Sequence, residues 1–159
     1  MTILVLGATA TWGMVGVIWI VQVLHYPMLA GYSELSPVVA AVEHQRRVSW
    51  VVGPLMAVEG LTALVLLVER PTSMDAVSAW VAAGLLGVAL ASTAFVQVPL
   101  HARLAEGHDP QVAHRLISTN WIRTVAWTAR GALLTAVVVS VAGNGSSASP
   151  AEYIPTIQG

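Results

Sequence analysis

The chain has 159 residues, of which 56% are hydrophobic and only 9% are charged, and its formal net charge is −1. A soluble domain carries about 25% charged residues, so this composition excludes an ordinary soluble domain. The near-neutral charge excludes a nucleic-acid-binding protein. The sequence has no cysteine, which excludes disulfides, thiolate metal ligands and cysteine nucleophiles.

Four apolar segments approach or exceed the roughly 20 residues that cross the hydrocarbon core of a bilayer. They cover residues 3–24, 50–68, 76–98 and 121–141. The first segment lacks the basic start and the cleavage site of a signal peptide, so we expect it to remain as a helix. The sequence therefore predicts an all-α polytopic membrane protein. Four transmembrane helices form a bundle over residues 1–142, and a disordered polar tail follows over residues 143–159.

The arginines predict an orientation in the membrane. Arg46 and Arg47 lie between the first and second segments. Arg103 and Arg115 lie between the third and fourth segments, and the opposite side has only Arg70. Because arginine-rich loops face the cytoplasm, we expect the two longer loops inside and both termini outside a bacterial inner (plasma) membrane.

The first two segments carry polar residues near their shared end. Gln22 and His25 lie three residues apart, so they share a helix face. Pro27 predicts that the first helix ends or kinks there. A Ser-Pro pair is typical of an N-cap and a first helical residue, so the second helix is expected to begin at Pro37, outside the hydrocarbon.

The third segment contains two patterns at a spacing of four residues. The first pattern joins the small residues Ala79, Ala83, Gly87 and Ala91. Such a stripe permits close helix contact and predicts internal packing, with a dimer face as the alternative. The second pattern joins Thr93, Gln97 and His101 and makes one side of the inner helix end polar. An Asp-Pro pair then predicts that the fourth helix begins at Pro110.

The fourth segment opens with a polar stripe. At steps of three, four and three residues it carries Asn120, Arg123, Trp127 and Arg130. On a helix these side chains share one face. Arg130 lies ten residues past Asn120, roughly 15 Å along the helix and near the middle of a bilayer. An arginine there costs about 2.5 to 3.5 kcal/mol on insertion scales, so the stripe is predicted to face the bundle interior.

Two pairs of opposite charge are predicted. Glu59 lies in the middle of the second segment at the depth of Arg130, so these two residues are expected to form a structural ion pair that fixes helix register. A proton relay is the alternative role for this pair. Glu43 and Arg47 lie four residues apart and predict a solvated ion pair.

The two halves of the chain resemble each other. A Val-Gln-Val sequence precedes both His25 and His101. The His, Arg and Trp at positions 44, 47 and 50 precede the Asn, Arg and Trp at positions 120, 123 and 127 by 76 or 77 residues. A duplicated helical hairpin would place His25 and His101 at one level of the membrane. Chance similarity between short apolar stretches is the alternative.

These patterns predict a polar site inside the bundle near its cytoplasmic side. The candidate cofactor-binding residues are His25, His44, His101, Asn120 and Arg123. The three histidines are the candidate metal ligands, since histidines at one level of a four-helix bundle can ligate haem or a metal ion. The arginine would then bind a haem propionate or an anionic substrate. Alternatively, these residues only lie at the headgroup boundary.

A second hypothesis is an aromatic or quinone-like ligand that is bound without a metal. Its aromatic candidates are Trp19, Tyr26, Trp121 and Trp127. Interfacial tryptophan and tyrosine also serve as membrane anchors, which is the alternative role for these four side chains.

Several motifs resemble a widespread bacterial family of small four-helix membrane proteins without an assigned activity. They are HYP at 25–27, GPLMAVE at 53–59, VPLH at 98–101 and LISTNWIRTVAWTAR at 116–130. More distantly, the chain is similar to the anthrone-oxygenase-like membrane proteins. That resemblance implies oxidation of polycyclic aromatics, with His101 and Arg123 as site residues. The chain departs from that pattern, because an asparagine is expected where His101 stands and the Asn-Trp-Ile-Arg-Thr motif is not theirs.

The sequence thus predicts an integral membrane protein in a redox role, with an oxygenase-like oxidoreductase as one form. The alternative is a non-enzymatic structural or assembly subunit of a larger membrane complex. A transporter ranks third, because four helices give a small pathway unless the protein forms a homo-oligomer. The predicted partner is the lipid bilayer, and no nucleic acid is expected.

Overall fold

The computed structural model describes residues 1–26, 28, 37–72, 74–107 and 109–146, with side chains from residue 42 onward in the second helix and to residue 143 in the last. Helix α1 covers Thr2–Ile20 and continues into a π-helical turn at Val21–His25. Helix α2 covers Pro37–Val68.

The second half repeats this layout. Helix α3 covers Ala76–Ser92, a second π-helical turn covers Thr93–Gln97, and helix α4 covers Val98–Glu106. These three pieces form one continuous rod. Helix α5 covers Pro110–Ser146.

The predicted all-α membrane bundle is confirmed within the described residues. Four helical spans are long and apolar enough to cross a membrane: Thr2–His25, Val42–Val68, Ala76–Glu106 and Pro110–Gly143. Helix α5 continues to residue 146, so its last four residues fall in the predicted polar tail. The rest of that tail, and the predicted end or kink at Pro27, lie outside the described residues.

Helix starts follow the predicted cap signals. Helix α5 begins at Pro110, and the Asp109 carboxylate accepts hydrogen bonds from the backbone N–H groups of Gln111 at 2.8 Å and Val112 at 3.4 Å. Helix α2 begins at Pro37, as predicted. Proline suits the first helical position because the N–H it lacks would have no helical partner there.

Asp75 caps helix α3 in the same way. Its carboxylate accepts hydrogen bonds from the backbone N–H of Ser78 at 2.8 Å and from the Ser78 hydroxyl at 2.6 Å. These two hydrogen bonds hold the pKa of Asp75 below its ordinary value. The cap therefore stabilises the helix at neutral pH and is lost as the pH falls through this lowered pKa.

The helices pack in a square. Helix α1 contacts α2 and α5, and the third rod contacts the same two helices, so α1 lies diagonally opposite α3, and α2 opposite α5. Helices α1 and α2 approach closely at Gly7, where an added Cβ would lie 2.9 Å from Thr62 Oγ1. Three layers of apolar side chains fill the interior, centred on Leu134, Trp127 and Leu116.

The small-residue stripe on α3 does not pack inside as predicted. Ala79 is buried, but Gly87 and Ala91 are exposed, and an added Cβ at Gly87 would meet nothing within 4 Å. The buried line of this helix is instead Ala79, Ala82, Leu86 and Ala89. A strict spacing of four residues drifts about 40° around a helix at each step, so the stripe turns from the core towards the outer surface.

Candidate functional site

Both π-helical turns lie at the same end of the bundle. We call it the histidine end, because His25, His44 and His101 lie there. The backbone N–H of Tyr26 donates to the carbonyl of Val21, and that of Val98 donates to the carbonyl of Thr93, five residues earlier in each case. Such turns widen a helix locally and occur often at functional sites. Here they border a polar cluster that is built on Arg123.

Arg123 is a buried cation with neutral partners. Its side chain on α5 is 9% exposed. The Nε and Nη2 groups both donate to Asn120 Oδ1, the Nε bond being 2.9 Å long. Nη1 donates to Thr93 Oγ1 at 3.3 Å and Nη2 to the Tyr26 hydroxyl at 3.4 Å. Among the described side chains, no carboxylate lies within 4 Å of this guanidinium.

A chain of amide groups fixes this arginine in place. Asn120 Nδ2 donates to Gln22 Oε1 at 2.7 Å, and Gln22 Nε2 donates to the Ile117 carbonyl at 3.4 Å. Because Asn120 donates through its nitrogen, its oxygen is turned towards Arg123. The polar end of α1 thereby orients the guanidinium of α5, and the predicted residues Asn120 and Arg123 belong to one network.

The structure brings the three predicted histidines together. The rings of His25 and His44 stack with centroids 4.0 Å apart and planes at 28°, and the His44 and His101 centroids are 5.8 Å apart. Nε2 of His101 and the Tyr26 hydroxyl share a hydrogen bond of 3.2 Å. Helices α2 and α4 and the end of the first helical rod thus supply one cluster.

The ring orientations bear on the metal hypothesis. The lone pairs of imidazole nitrogens lie in the ring planes, so the stacked rings of His25 and His44 do not direct them at a common point. No group of three histidine, aspartate or glutamate side chains in the described parts of the chain has the spacing of a metal site. The Nε2 atom of His25 is buried and has no protein partner among these residues.

A cavity of about 120 Å³ adjoins the cluster. Its polar wall includes Tyr26, His44, Thr93, Gln97, His101 and Arg123. Its apolar wall includes Met14, Ile18, Val52, Met56 and Trp127. Ser49 and Val98 also line it, and both are exposed, so its rim lies between α2 and α4. Since a closed cavity of about 150 Å³ binds benzene, this smaller cavity, which opens at its rim, has room for at most one aromatic ring.

Two of the four aromatic candidates face this cavity. Trp127 is 1% exposed, and its ring lies 6.0 Å from the guanidinium carbon of Arg123. Tyr26 is buried beside it. Trp19 and Trp121 were predicted with them but pack against each other at the outer surface, with ring centroids 5.6 Å apart. Their helices turn these rings outward, away from the polar face.

Two further polar residues near the histidine end lie outside the cavity. The Glu43 carboxylate, which the sequence pairs with Arg47, accepts hydrogen bonds from Arg46 and Arg47 at the surface. His114 is exposed on α5. Both residues therefore lie away from the polar interior of the bundle.

A second polar network lies deeper in the bundle. Glu59 and Arg130, which the sequence pairs, have Oε1 and Nε 3.6 Å apart. Thr11 Oγ1 donates to Glu59 Oε1 at 2.7 Å and accepts from Arg130 Nε at 3.1 Å. Trp127 Nε1 donates to Glu59 Oε2 at 3.0 Å. Arg130 Nη1 donates to the Ala82 carbonyl at 2.6 Å.

This second network connects all four membrane-spanning rods of the bundle. It closes the diagonal between α2 and α5 through side chains and draws in α1 through Thr11 and α3 through Ala82. Sequence reasoning missed both of these partners. A single threonine in an apolar helix is not distinctive, and a backbone carbonyl has no sequence signal.

Fold and interior together define a class, the polytopic α-helical membrane protein with two buried arginine networks. Comparisons with known protein families, with curated proteins and with solved structures gave no match. The family resemblance that the motifs carry therefore stays a prediction, and function is inferred from the site itself.

Proposed function

We propose that this protein binds, from within the membrane, a small aromatic ligand with an acceptor oxygen, of the quinone or phenolate class. The ligand would occupy the cavity at the histidine end. One observation carries the proposal: Arg123 is buried beside this cavity and has no carboxylate partner among the described side chains. A buried unneutralised charge costs several kcal/mol. Its N–H groups already have neutral acceptors, so a ligand oxygen would add the missing negative charge, partial in a quinone and full in a phenolate.

The neighbouring side chains support proton transfer at the ligand. The Tyr26 hydroxyl accepts a hydrogen bond from Arg123 Nη2, so its own hydrogen is available for His101 Nε2 at 3.2 Å. A ligand oxygen at Arg123 would lie beside this hydroxyl. Tyr26 could then give its proton to the ligand or pass a ligand proton to His101. Interconversion of a quinone and its hydroquinone needs two protons as well as two electrons, so this path would supply the protons of a redox role, and an external electron donor or acceptor would supply or take the electrons. The oxygenase-like activity that the distant resemblance implies would in addition need O2 as the oxidant.

The haem and metal hypotheses have less support. A tetrapyrrole is several times larger than the single ring that a cavity of this size accommodates. The stacked rings of His25 and His44 do not converge on one metal position. The arginine bias supports placing the histidine end on the cytoplasmic side of a bacterial inner membrane.

Calorimetric titration of the purified protein in detergent tests the ligand class. The probe is 2,6-dimethyl-1,4-benzoquinone, and p-xylene is the matched ring without oxygen. We expect the quinone to bind and p-xylene to bind much more weakly. Arg123→Gln should weaken quinone binding by about 10-fold or more, since a hydrogen bond to a charged group contributes about 1.5 to 3 kcal/mol. Arg115→Gln, an exposed arginine on the same helix, is the control.

Equal binding of both probes, or full binding by Arg123→Gln, would overturn the proposal. An absorption spectrum and elemental metal analysis of protein from its native host decide the cofactor alternative. A Soret band or stoichiometric metal that is lost in His25→Ala or His101→Ala would replace the organic ligand by a cofactor. Failure of every arm would favour the structural or assembly subunit.

A further inference from the structure

A third group of arginines lies at the outer surface of the histidine end. Arg103 on α4 and Arg115 on α5 line two adjoining clefts of about 300 and 620 Å³. Both side chains are exposed, and among the described residues neither lies within 4 Å of a carboxylate. Two unpaired cations therefore flank one groove between neighbouring helices.

An apolar trough continues from these arginines towards the middle of the bundle. Phe95, Pro99 and Arg103 follow one another at steps of four residues and line the smaller cleft. Eight residues of helix correspond to roughly 12 Å. Phe95 is 81% exposed at the far end of this row, and Leu100 is buried in the floor. The groove thus combines a cationic mouth with an apolar extension along the membrane-crossing direction.

The larger cleft is polar. Besides the two arginines, its side chains include Asp109, Gln111 and His114. The Asp109 carboxylate caps α5 through the backbone N–H of Gln111, which fixes a negative charge there. A second anionic group would be repelled by this carboxylate, whereas hydroxyl groups would find hydrogen-bond partners in Gln111 and His114.

We infer that this groove binds one phospholipid of the bilayer with a single negative charge and a hydroxyl-bearing headgroup, the phosphatidylglycerol class. Its phosphate would lie between Arg103 and Arg115, and one acyl chain would follow the trough to Phe95. Basic pockets between transmembrane helices are known to hold anionic lipid headgroups in this way. The site is separate from the internal cavity and does not depend on what that cavity binds.

Native mass spectrometry of the detergent-purified protein, titrated with palmitoyl-oleoyl lipids, tests the inference. We expect one phosphatidylglycerol to bind about tenfold or more tightly than phosphatidylcholine, the scale set by two arginines near a membrane surface. The variant Arg103→Gln/Arg115→Gln should lose this preference. Arg70→Gln, an exposed arginine at the opposite end, should keep it. Equal thermal stability of all variants in phosphatidylcholine nanodiscs shows that the fold is intact.

Three results would overturn the inference. The wild-type protein could show no preference between the two lipids. The double variant could keep the full preference of the wild type. Inorganic phosphate or glycerophosphoglycerol could displace the lipid at equal concentration, which would make the groove a site for a soluble anion.

Discussion

Arg123 and Arg130 lie on the same face of the same helix, seven residues or about 10 Å apart, yet their surroundings differ in kind. Arg130 has a carboxylate partner in Glu59, and every group around that carboxylate is a donor. Arg123 has only neutral acceptors and lies beside a cavity. The charge of Arg130 is therefore compensated, although its buried Nη2 has no hydrogen-bond partner among the described residues. The charge of Arg123 is not compensated, and under our proposal the ligand compensates it.

This contrast separates structural from functional charge. Both oxygens of Glu59 are occupied, and neither Glu59 nor Arg130 lines the internal cavity. We therefore interpret their pair as a structural connection across the bundle rather than a proton relay. The chain demonstrably places a carboxylate opposite a buried arginine at one depth. Among the described residues, no carboxylate lies opposite Arg123. This difference from Arg130 is our reason for assigning Arg123 to ligand binding.

The largest expected effect tests the completed network. Arg130→Met should lower the free energy of unfolding by about 3 to 5 kcal/mol, because it leaves Glu59 as a buried charge without a cation. The double variant Glu59→Leu/Arg130→Met should recover most of this loss, since no charge remains. Reversible unfolding in mixed micelles or by steric trapping measures both values.

Arg70→Met, an exposed arginine outside both networks and outside the lipid groove, serves as the control and should leave stability unchanged. If the double variant is as unstable as Arg130→Met alone, the pair is not an isolated charge-compensating unit. The contrast with Arg123 would then lose its energetic basis.

A smaller effect is expected at the cavity arginine. Arg123→Met removes the partner of Asn120 Oδ1, which costs about 1 to 3 kcal/mol. It also removes an unneutralised cation, which offsets that cost, so the net change in ligand-free protein should stay below about 2 kcal/mol. Adding the quinone probe should raise the unfolding temperature of the wild type but not of this variant.

A loss at Arg123 as large as that at Arg130 would contradict this comparison. It would mean that the neutral acceptors already satisfy Arg123 fully and that its network is structural too. The same unfolding measurement, done with and without the quinone, distinguishes the two outcomes.

Sequence reasoning reached the fold because apolar segment length and proline-containing cap pairs are local signals. It also placed Asn120, Arg123, Trp127 and Arg130 on one face, and all four are buried in the structure. The internal sequence repeat, however, does not predict which residues are buried in the other half of the chain. Trp50, which corresponds to Trp127, is 80% exposed, whereas Trp127 is 1% exposed.

The reason for this failure is rotational. A repeat in sequence preserves spacing along a helix, but the face that turns inward depends on packing against the neighbouring helices. The π-helical turns at Val21–His25 and Thr93–Gln97 each change which face of the helix points inward. No sequence pattern predicts these turns. Residues of both turns line the cavity. The sequence could therefore predict which residues lie at the same depth in the membrane, but not which of them line the cavity.

The smallest expected effect comes from a charge pair in a wet environment. Glu43 accepts hydrogen bonds from Arg46 at 2.9 Å and Arg47 at 2.6 Å, geometry at least as close as that of Glu59 and Arg130. Its partners are mostly exposed, so water and salt screen the interaction. Glu43→Gln should leave the unfolding midpoint within experimental error, and raising the salt concentration should not separate variant from wild type. A clear decrease in the unfolding midpoint would show that distance, rather than burial, determines the strength of ion pairs in this bundle. The comparison of Arg123 with Arg130 would then have to rest on distances as well.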